Sequence, residues 1–187
     1  CGEAGGVQDQ IAVAFGGLNR IDFSSDGYII NPIEISKERL AEFNSNLMLI
    51  FTGFSHLSGE VAVTQQENIP HSLTQLHEMK TLVKKGEEIL TGNGSLAEFG
   101  RLLDETWRLK QTLSDKISND YINRIYSSVM NCGALGGKIL GAGSGGFLLV
   151  YAEEDSREKI KKLFEPSRII PFKFEFEGTK LIYGGDE

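Results

Sequence analysis

Gly141-Ala142-Gly143-Ser144-Gly145-Gly146 separates two apolar segments and holds four glycines, one alanine and one serine. Gly136-Gly137-Lys138-Ile139-Leu140 precedes it, and Phe147-Leu148-Leu149-Val150-Tyr151 follows. Glycine loses more backbone entropy on folding than any other residue and adds no side chain to a core. A run this dense marks a place where the backbone turns tightly or approaches something closely. The flanks read as short buried strands, so the run joins two rigid elements. Consecutive unobstructed N–H groups can form a concavity that binds an anion, with phosphate the first ligand to consider. The alternative is a Gly-rich hairpin turn. No Gly-Lys-Ser or Gly-Lys-Thr closes the loop, so the Walker pattern is absent. The dinucleotide fingerprint also needs a following helix, and a strand is predicted here.

Hydrophobic periodicity sets out the elements around this loop. Val7, Ile11, Ala12 and Phe15 recur at helical spacing until Gly16-Gly17 stops the helix. Residues 18–23 and 28–35 predict a hairpin around Ser24-Ser25-Asp26-Gly27, with Pro32 weakening the second strand or placing it at an edge. Residues 36–38 read as a connector that opens a short helical turn. Residues 46–54 form a continuous apolar run, read as a central strand. Leu73, Leu76, Met79, Leu82, Val83, Ile89 and Leu90 stripe a helix that Gly92-Asn93-Gly94 breaks. Ser95 is predicted to cap the next helix, which buries Leu96, Phe99, Leu102, Leu103, Trp107 and Leu113. Ser118 is predicted to cap a third, with Ile122, Ile125, Tyr126, Val129 and Met130 inward and Gly133 at its end. After the loop come a short helix over 156–164, a half-buried strand over 169–176 and a closing strand over 179–183. This order predicts an α+β fold with a mainly antiparallel sheet covered by helices on one side.

The bulk properties narrow the partners. A net charge of −7 argues against a nucleic-acid partner. No apolar run approaches the ~20 residues needed to cross a membrane, so no membrane partner is expected. Cys1 and Cys132 make neither a metal motif nor a disulfide framework. His56, His71 and His77 show no metal-ligand spacing with them, so no protein metal site is predicted and a reducing, cytoplasmic setting fits. The chain starts at Cys1, which reads as a processed product or a piece of something longer.

Gly5-Gly6-Val7-Gln8-Asp9-Gln10 is the second cluster. A carboxylate in the first turn of a helix sits at the positive end of the dipole. It stays ionised there, can orient a hydroxyl and can accept its proton. An aspartate at that position can also serve only to stabilise the helix start.

This cluster, leading into Ala14-Phe15-Gly16-Gly17-Leu18-Asn19, combines with residues 136–147 in a pattern that resembles the GHMP kinases. That superfamily of small-molecule kinases includes galactokinase, homoserine kinase and mevalonate kinase. Within it the chain is most similar to the bacterial D-glycero-D-manno-heptose 7-phosphate kinases. The similarity rests on the glutamine-flanked Asp9, on Phe51-Thr52-Gly53, and on the spacing from Trp107 through Ile117-Ser118 to the glycine loop.

The resemblance implies a GHMP kinase C-terminal (ferredoxin-like) domain over 36–187. The tail of the N-terminal (ribosomal S5 domain 2-like) domain would occupy 1–35. It further implies an ATP-dependent sugar kinase, with an alcohol group as acceptor. Asp9 would orient or deprotonate the sugar hydroxyl that attacks the γ-phosphate of ATP. In the heptose branch that hydroxyl is the anomeric one, and the product is a 1,7-bisphosphate. Gly5, Gly6, Gln8, Thr52 and His56 would bind the substrate. His56 stands where related sequences commonly carry an arginine, and a neutral imidazole brings no full charge to a sugar phosphate. Gly141, Ala142, Gly143, Ser144, Gly145 and Gly146 match the third motif, which lies against the nucleotide loop and the substrate. ATP and Mg²⁺ would be held mainly by motifs upstream of Asp9, where eight residues stand. The chain is thus expected to be a fragment, silent alone. Its partners would be ATP and a sugar or sugar phosphate, with self-association through the exposed truncated surface.

Other classes leave their own marks. An N-terminal-nucleophile hydrolase would need Cys1 with a free α-amine and an oxyanion hole. Gly2-Glu3-Ala4 offers no strand for one. A lipoprotein anchored through Cys1 is another formal alternative. A non-catalytic ligand-binding or regulatory α+β module would keep the loop as a structural turn. A galactokinase-like enzyme for another sugar would keep the chemistry and change the acceptor.

Overall fold

The computed structural model describes residues 6–53 and 58–182. These fall into two units, one holding 35–172 and the other 6–34 with the segment from 173 onward.

In the smaller unit, helix α1 (Gln8–Phe15) closes on Gly16, whose N–H donates to the Ala12 carbonyl at 2.9 Å. The helix stops where the paired glycines predict. Strands β1 (Asn19–Ser24) and β2 (Gly27–Pro32) pair antiparallel from Asn19↔Pro32 to Ser24↔Gly27. Pro32 is the last residue of β2, a position that spares the rest of the ladder. Beyond residue 172 the structure departs from the two predicted strands. The segment is irregular and is tied to the end of α1 at separate points. Gly17 N–H donates to the Glu175 carbonyl at 2.6 Å, and Thr179 N–H to that of Ala14 at 3.1 Å. A strand needs a continuous ladder, and isolated bonds to a helix terminus do not supply one. Tyr183 lies outside the described residues. Val13, Phe23, Ile29, Leu181 and Ile182 are exposed.

The larger unit begins with α2 (Lys37–Asn46), a full helix where a short turn was expected. Ser36 caps it, accepting the Arg39 N–H at 3.2 Å. Then follow β3 (Leu47–Phe51), α3 (Ser58–Asn68), α4 (Leu73–Thr91), α5 (Ala97–Gln111) and α6 (Asp120–Asn131). Strands β4 (Gly136–Ile139) and β5 (Phe147–Tyr151), helix α7 (Glu154–Lys161) and the two-residue β6 (Ile169–Ile170) complete it. The Arg39 guanidinium donates to the carbonyls of Ile89, Leu90 and Gly94 at 2.6–2.9 Å. It satisfies orphan acceptors at the C-terminal end of α4, where the dipole favours a cation.

The sheet order is β4-β5-β3-β6, antiparallel throughout, so the apolar run at 47–51 is a central strand as predicted. One face carries Met48, Ile50, Ile139, Leu148 and Val150 into a core with Val61, Trp107, Leu113, Ile117, Ile122, Ile125, Val129 and Ile160. Burying a side chain of this size contributes about 1.5–3 kcal/mol, so this face contributes heavily to the stability of the unit. Across the other face, Lys138, Leu149, Leu49 and Ile170 stand in one half-buried row. Helix α5 lies against the edge strand β4, where Gly100 and Gly136 let the two backbones touch. That contact covers an edge which would otherwise offer unpaired groups.

The cap of α6 corrects the sequence reading by one residue. Asn119, not Ser118, accepts the Ile122 N–H, at 3.0 Å, while Ser118 Oγ donates to Asn123 Oδ1 at 2.8 Å. Asparagine caps as well as serine does. Its amide N–H₂ adds a donor that this site uses elsewhere.

Candidate functional site

The glycine run connects the β4–β5 hairpin. Ile139 faces Leu148, and Leu140 N–H donates to the Phe147 carbonyl at 2.9 Å, so residues 141–146 form the turn between the strands. The hairpin reading is therefore right, and it does not exclude the anion reading. What decides between them is where the loop's polar groups point.

Four of the six loop carbonyls accept from donors on different elements. Lys110 Nζ on α5 donates to Gly141, and Gln65 Nε2 on α3 donates to Ala142 at 2.8 Å. Asn119 Nδ2 at the start of α6 donates to Ser144 at 3.3 Å. Thr52, just past β3, donates both its N–H and its Oγ1 hydrogen to Gly146, each at 2.9 Å. Ser144 is pinned from the other side. Its N–H reaches the Ile117 carbonyl and its Oγ the Lys116 carbonyl, both at 2.7 Å. Ser144 is the one non-glycine with positive φ (65°) among the described residues, and these bonds over-determine it. The N–H groups of Gly141, Ala142, Gly143, Gly145 and Gly146 have no acceptor among the described residues. Free N–H groups on glycine backbone are the arrangement that binds anions.

Gly143 is where the loop passes closest to its support. Its φ is 125°, and a Cβ there would lie 2.6 Å from the Ile117 carbonyl oxygen. Both facts require glycine.

Thr52 forms the wall behind the loop and is fully buried. Its carbonyl accepts from Tyr121 Oη at 3.0 Å and from Arg168 Nη2. Arg168 also donates from Nε to the Phe51 carbonyl and from Nη2 to Tyr121 Oη, both at 3.0 Å. Its guanidinium stands 5.8 Å over the Phe164 ring. The sequence reading placed Thr52 among the substrate contacts. Here its hydroxyl donates to the Gly146 carbonyl. Thr52→Val keeps the shape and removes one hydrogen bond, for an expected loss of about 1 kcal/mol. Urea unfolding checks it; no change in midpoint would count against the anchoring role.

The second cluster belongs to the smaller unit. Asp9 is the second residue of α1 and is exposed, as are Gly6, Gln8 and Gln10. Val7 at the N-cap offers no side-chain cap, so the first-turn N–H groups of α1 are not taken by it. Asp9 stands in the favourable end of the dipole with its carboxylate available to a ligand. Gly5 and His56 lie outside the described residues, as does Cys1.

Two buried or half-buried lysines lie on the elements next to the loop, Lys110 on α5 and Lys138 on β4. Lys110 is 9% exposed, and its pKa is lowered to about 8 by burial first and by the charge of Lys138 second. Burial also lowers the pKa of Lys138, on β4. Sequence reading missed Lys110, Gln65, Tyr121 and Arg168. Ile117 was flagged only by its spacing to the loop. Among the described residues no group of three or more His, Cys, Asp or Glu is placed to hold a metal ion. No helix among them is long and apolar enough to cross a membrane.

Residues 80–164 match the family described as GHMP kinases C terminal. The chain carries a GHMP kinase C-terminal domain. It is 32% identical over 96% of its length to a D-glycero-alpha-D-manno-heptose 7-phosphate kinase of Campylobacter jejuni, of which it covers 54%. It is 31% identical over 87% of its length to a bifunctional fucokinase/GDP-fucose pyrophosphorylase of Arabidopsis thaliana, covering 16% of that protein. A crystal structure of a D-glycero-D-manno-heptose 1-phosphate kinase from Bacteriodes thetaiotaomicron superposes with a TM-score of 0.56 at 25% identity. That superposition covers 96% of this chain and 50% of the other. The chain thus spans about half the length of the Campylobacter protein and of the crystallised kinase. In this GHMP kinase domain, the matched region takes in α5, α6 and the whole glycine loop.

Proposed function

We propose that this chain serves an ATP-dependent sugar kinase that moves the γ-phosphate of ATP to a sugar hydroxyl. The acceptor it fits best is the anomeric hydroxyl of a heptose 7-phosphate, the sugar in the name of the Campylobacter relative. The observation that carries the reading is the loop at 141–146. Its engaged carbonyls and free N–H groups suit phosphate oxygens, and it lies inside the matched family region. Phosphoryl transfer asks little covalent chemistry of a protein, so placement and charge stabilisation do most of the catalysis. Asp9 is then the group that orients the attacking hydroxyl and takes its proton, and Gln8 and Gly6 border the sugar. ATP supplies the phosphoryl group, and Mg²⁺ would neutralise charge on its phosphates. The exposed apolar side chains of the smaller unit, Phe23 and Ile29 among them, are the surface through which copies of this chain would associate.

An ADP-release assay on the full-length gene product tests this. With ATP and a panel of heptose 7-phosphate, fucose, galactose and mevalonate, the expected result is sugar-dependent ADP formation, fastest with the heptose phosphate. Turnover with mevalonate alone would replace the sugar reading. Tight binding of a sugar without turnover would favour the non-catalytic module.

A further inference from the structure

Strand β3 ends at Phe51, and its neighbour β6 follows it for two residues only, Ile169 and Ile170. The register pairs Ile50 with Ile169, so Arg168 stands where the next rung of the ladder would be. Its side chain takes that place, with Nε donating to the Phe51 carbonyl at 3.0 Å. Completing the ladder explains this bond, since a backbone carbonyl there needs a donor. It does not explain what the guanidinium does one residue further on. Nη2 donates to the carbonyl of Thr52, which lies past the strand. A second donor from another element, Tyr121 Oη on α6, reaches the same oxygen at 3.0 Å. Nη2 also donates to Oη at 3.0 Å, so the three groups close a triangle. Both acceptor sites of one carbonyl on a fully buried residue are thus filled, one of them by a charge-assisted bond. The fit leaves no room for a side chain at position 53. There φ is 101°, and a Cβ would lie 2.7 Å from Arg168 Nη2 and 3.7 Å from Tyr121 Oη.

The same residue holds the glycine loop on its other side. Thr52 gives its N–H and its hydroxyl hydrogen to one oxygen, the Gly146 carbonyl. The peptide between Phe51 and Thr52 therefore accepts from Arg168 at its carbonyl and donates to Gly146 at its N–H, and bonds in such a chain polarise and strengthen one another. Tyr121 stands two residues after Asn119, whose amide holds Ser144. The start of α6 thus fixes the loop at two points, directly at Ser144 and through Thr52 at Gly146.

We propose that Arg168 and Tyr121 are positioning residues that clasp Thr52 and so keep the Gly146 end of the loop in one place during phosphoryl transfer. Their effect on the rate rests on the kinase reading; their hold on the loop does not. The test uses the full-length protein and its Tyr121→Phe, Arg168→Lys and Arg168→Met variants. Tyr121→Phe keeps the ring and removes one donor. Lysine keeps the charge and loses the planar fork that serves two carbonyls at once. By nuclear magnetic resonance, each variant is expected to move the amide resonances of Gly145 and Gly146. Exchange of the Thr52 N–H should rise about tenfold or more, while that of the Ala152 N–H, bonded to Asn46 at the far end of the sheet, stays near wild type. In sugar phosphorylation, kcat should fall about tenfold in Tyr121→Phe and about 10²-fold in Arg168→Met, with KM values changing far less. Tyr121→Phe and Thr52→Val should be non-additive in kcat, since both act on one link. A merely structural role would lower the unfolding midpoint and leave kcat of the folded protein where it was. Tyr121→Phe carries the test if Arg168→Met does not fold. Unchanged loop resonances and Thr52 exchange in folded Tyr121→Phe and Arg168→Lys proteins overturn the proposal. Sugar phosphorylation at wild-type kcat in those variants overturns it too and keeps the kinase reading. A loop that responds as expected in a protein without sugar-dependent turnover leaves the clasp standing and removes the kinase reading.

Discussion

Asp9→Asn in the full-length protein is expected to lower kcat by about 10²- to 10⁴-fold, the range that a positioned general base contributes. The KM values should change far less. The amide keeps the size of the side chain and can still touch a hydroxyl, but it cannot accept a proton. The competing role for Asp9 is as a favourable charge in the first turn of α1. That role is worth about 0.3–1 kcal/mol of stability at an exposed site and has no effect on the chemical step. The two roles therefore separate in a single variant. Loss of kcat with a thermal midpoint near wild type assigns Asp9 to catalysis, and a lowered midpoint with unchanged kcat assigns it to the helix. Gln8 and Gln10 are exposed beside it and serve as controls, since neither amide can act as a base.

The largest expected loss of stability comes from one methyl group at Gly136. A Cβ at that position would lie 1.9 Å from the Gly100 carbonyl oxygen and 2.8 Å from the Asp104 nitrogen. Both neighbours are backbone of α5, so no side-chain rotation relieves the clash. Helix α5 would have to move off β4, and Trp107, which is 1% exposed and lies in the same core as Ile139, would move with it. Overpacking of a core costs about 1–3 kcal/mol, and a backbone-to-backbone clash belongs at or above the top of that range. Gly136→Ala is therefore expected to lower the urea unfolding midpoint by an amount equivalent to about 3 kcal/mol. A change near 0.5 kcal/mol or less would mean that α5 and β4 are not held together as described.

The elements that were legible in the sequence are those whose periodicity matches what they bury. Strands β4 and β5 read as short apolar runs because they carry Ile139, Leu148 and Val150 into the core. Helix α6 read as a stripe because Ile122, Ile125 and Val129 sit on one face. Helix α2 escaped notice because Phe43 is its one fully buried side chain, and its charged surface looks like a connector. The residues after 172 misled in the opposite sense. Phe172, Phe174 and Phe176 alternate with polar residues as a strand would, but no strand among the described residues offers them a ladder.

The site divides in the same way. The glycine run and Asp9 stood out because density of glycine and a charge between amides are local signals. Lys110 looked like any lysine in the last turn of an amphipathic helix, where a cation is already favourable. Nothing local marks Arg168, two residues after Pro166. Their roles come from partners 31 and 116 residues away, Gly141 and Thr52, which no local pattern encodes. The shift of the α6 cap from Ser118 to Asn119 has the same origin. Asn119 also donates to a distant carbonyl, that of Ser144, a contact no local pattern encodes.

A crystal structure of the full-length protein with a non-hydrolysable ATP analogue and a heptose 7-phosphate tests the central claim most directly. The expected result is a phosphate oxygen within about 3 Å of at least one free N–H of residues 141–146. Both ligands bound with every phosphate beyond reach of that loop would contradict it.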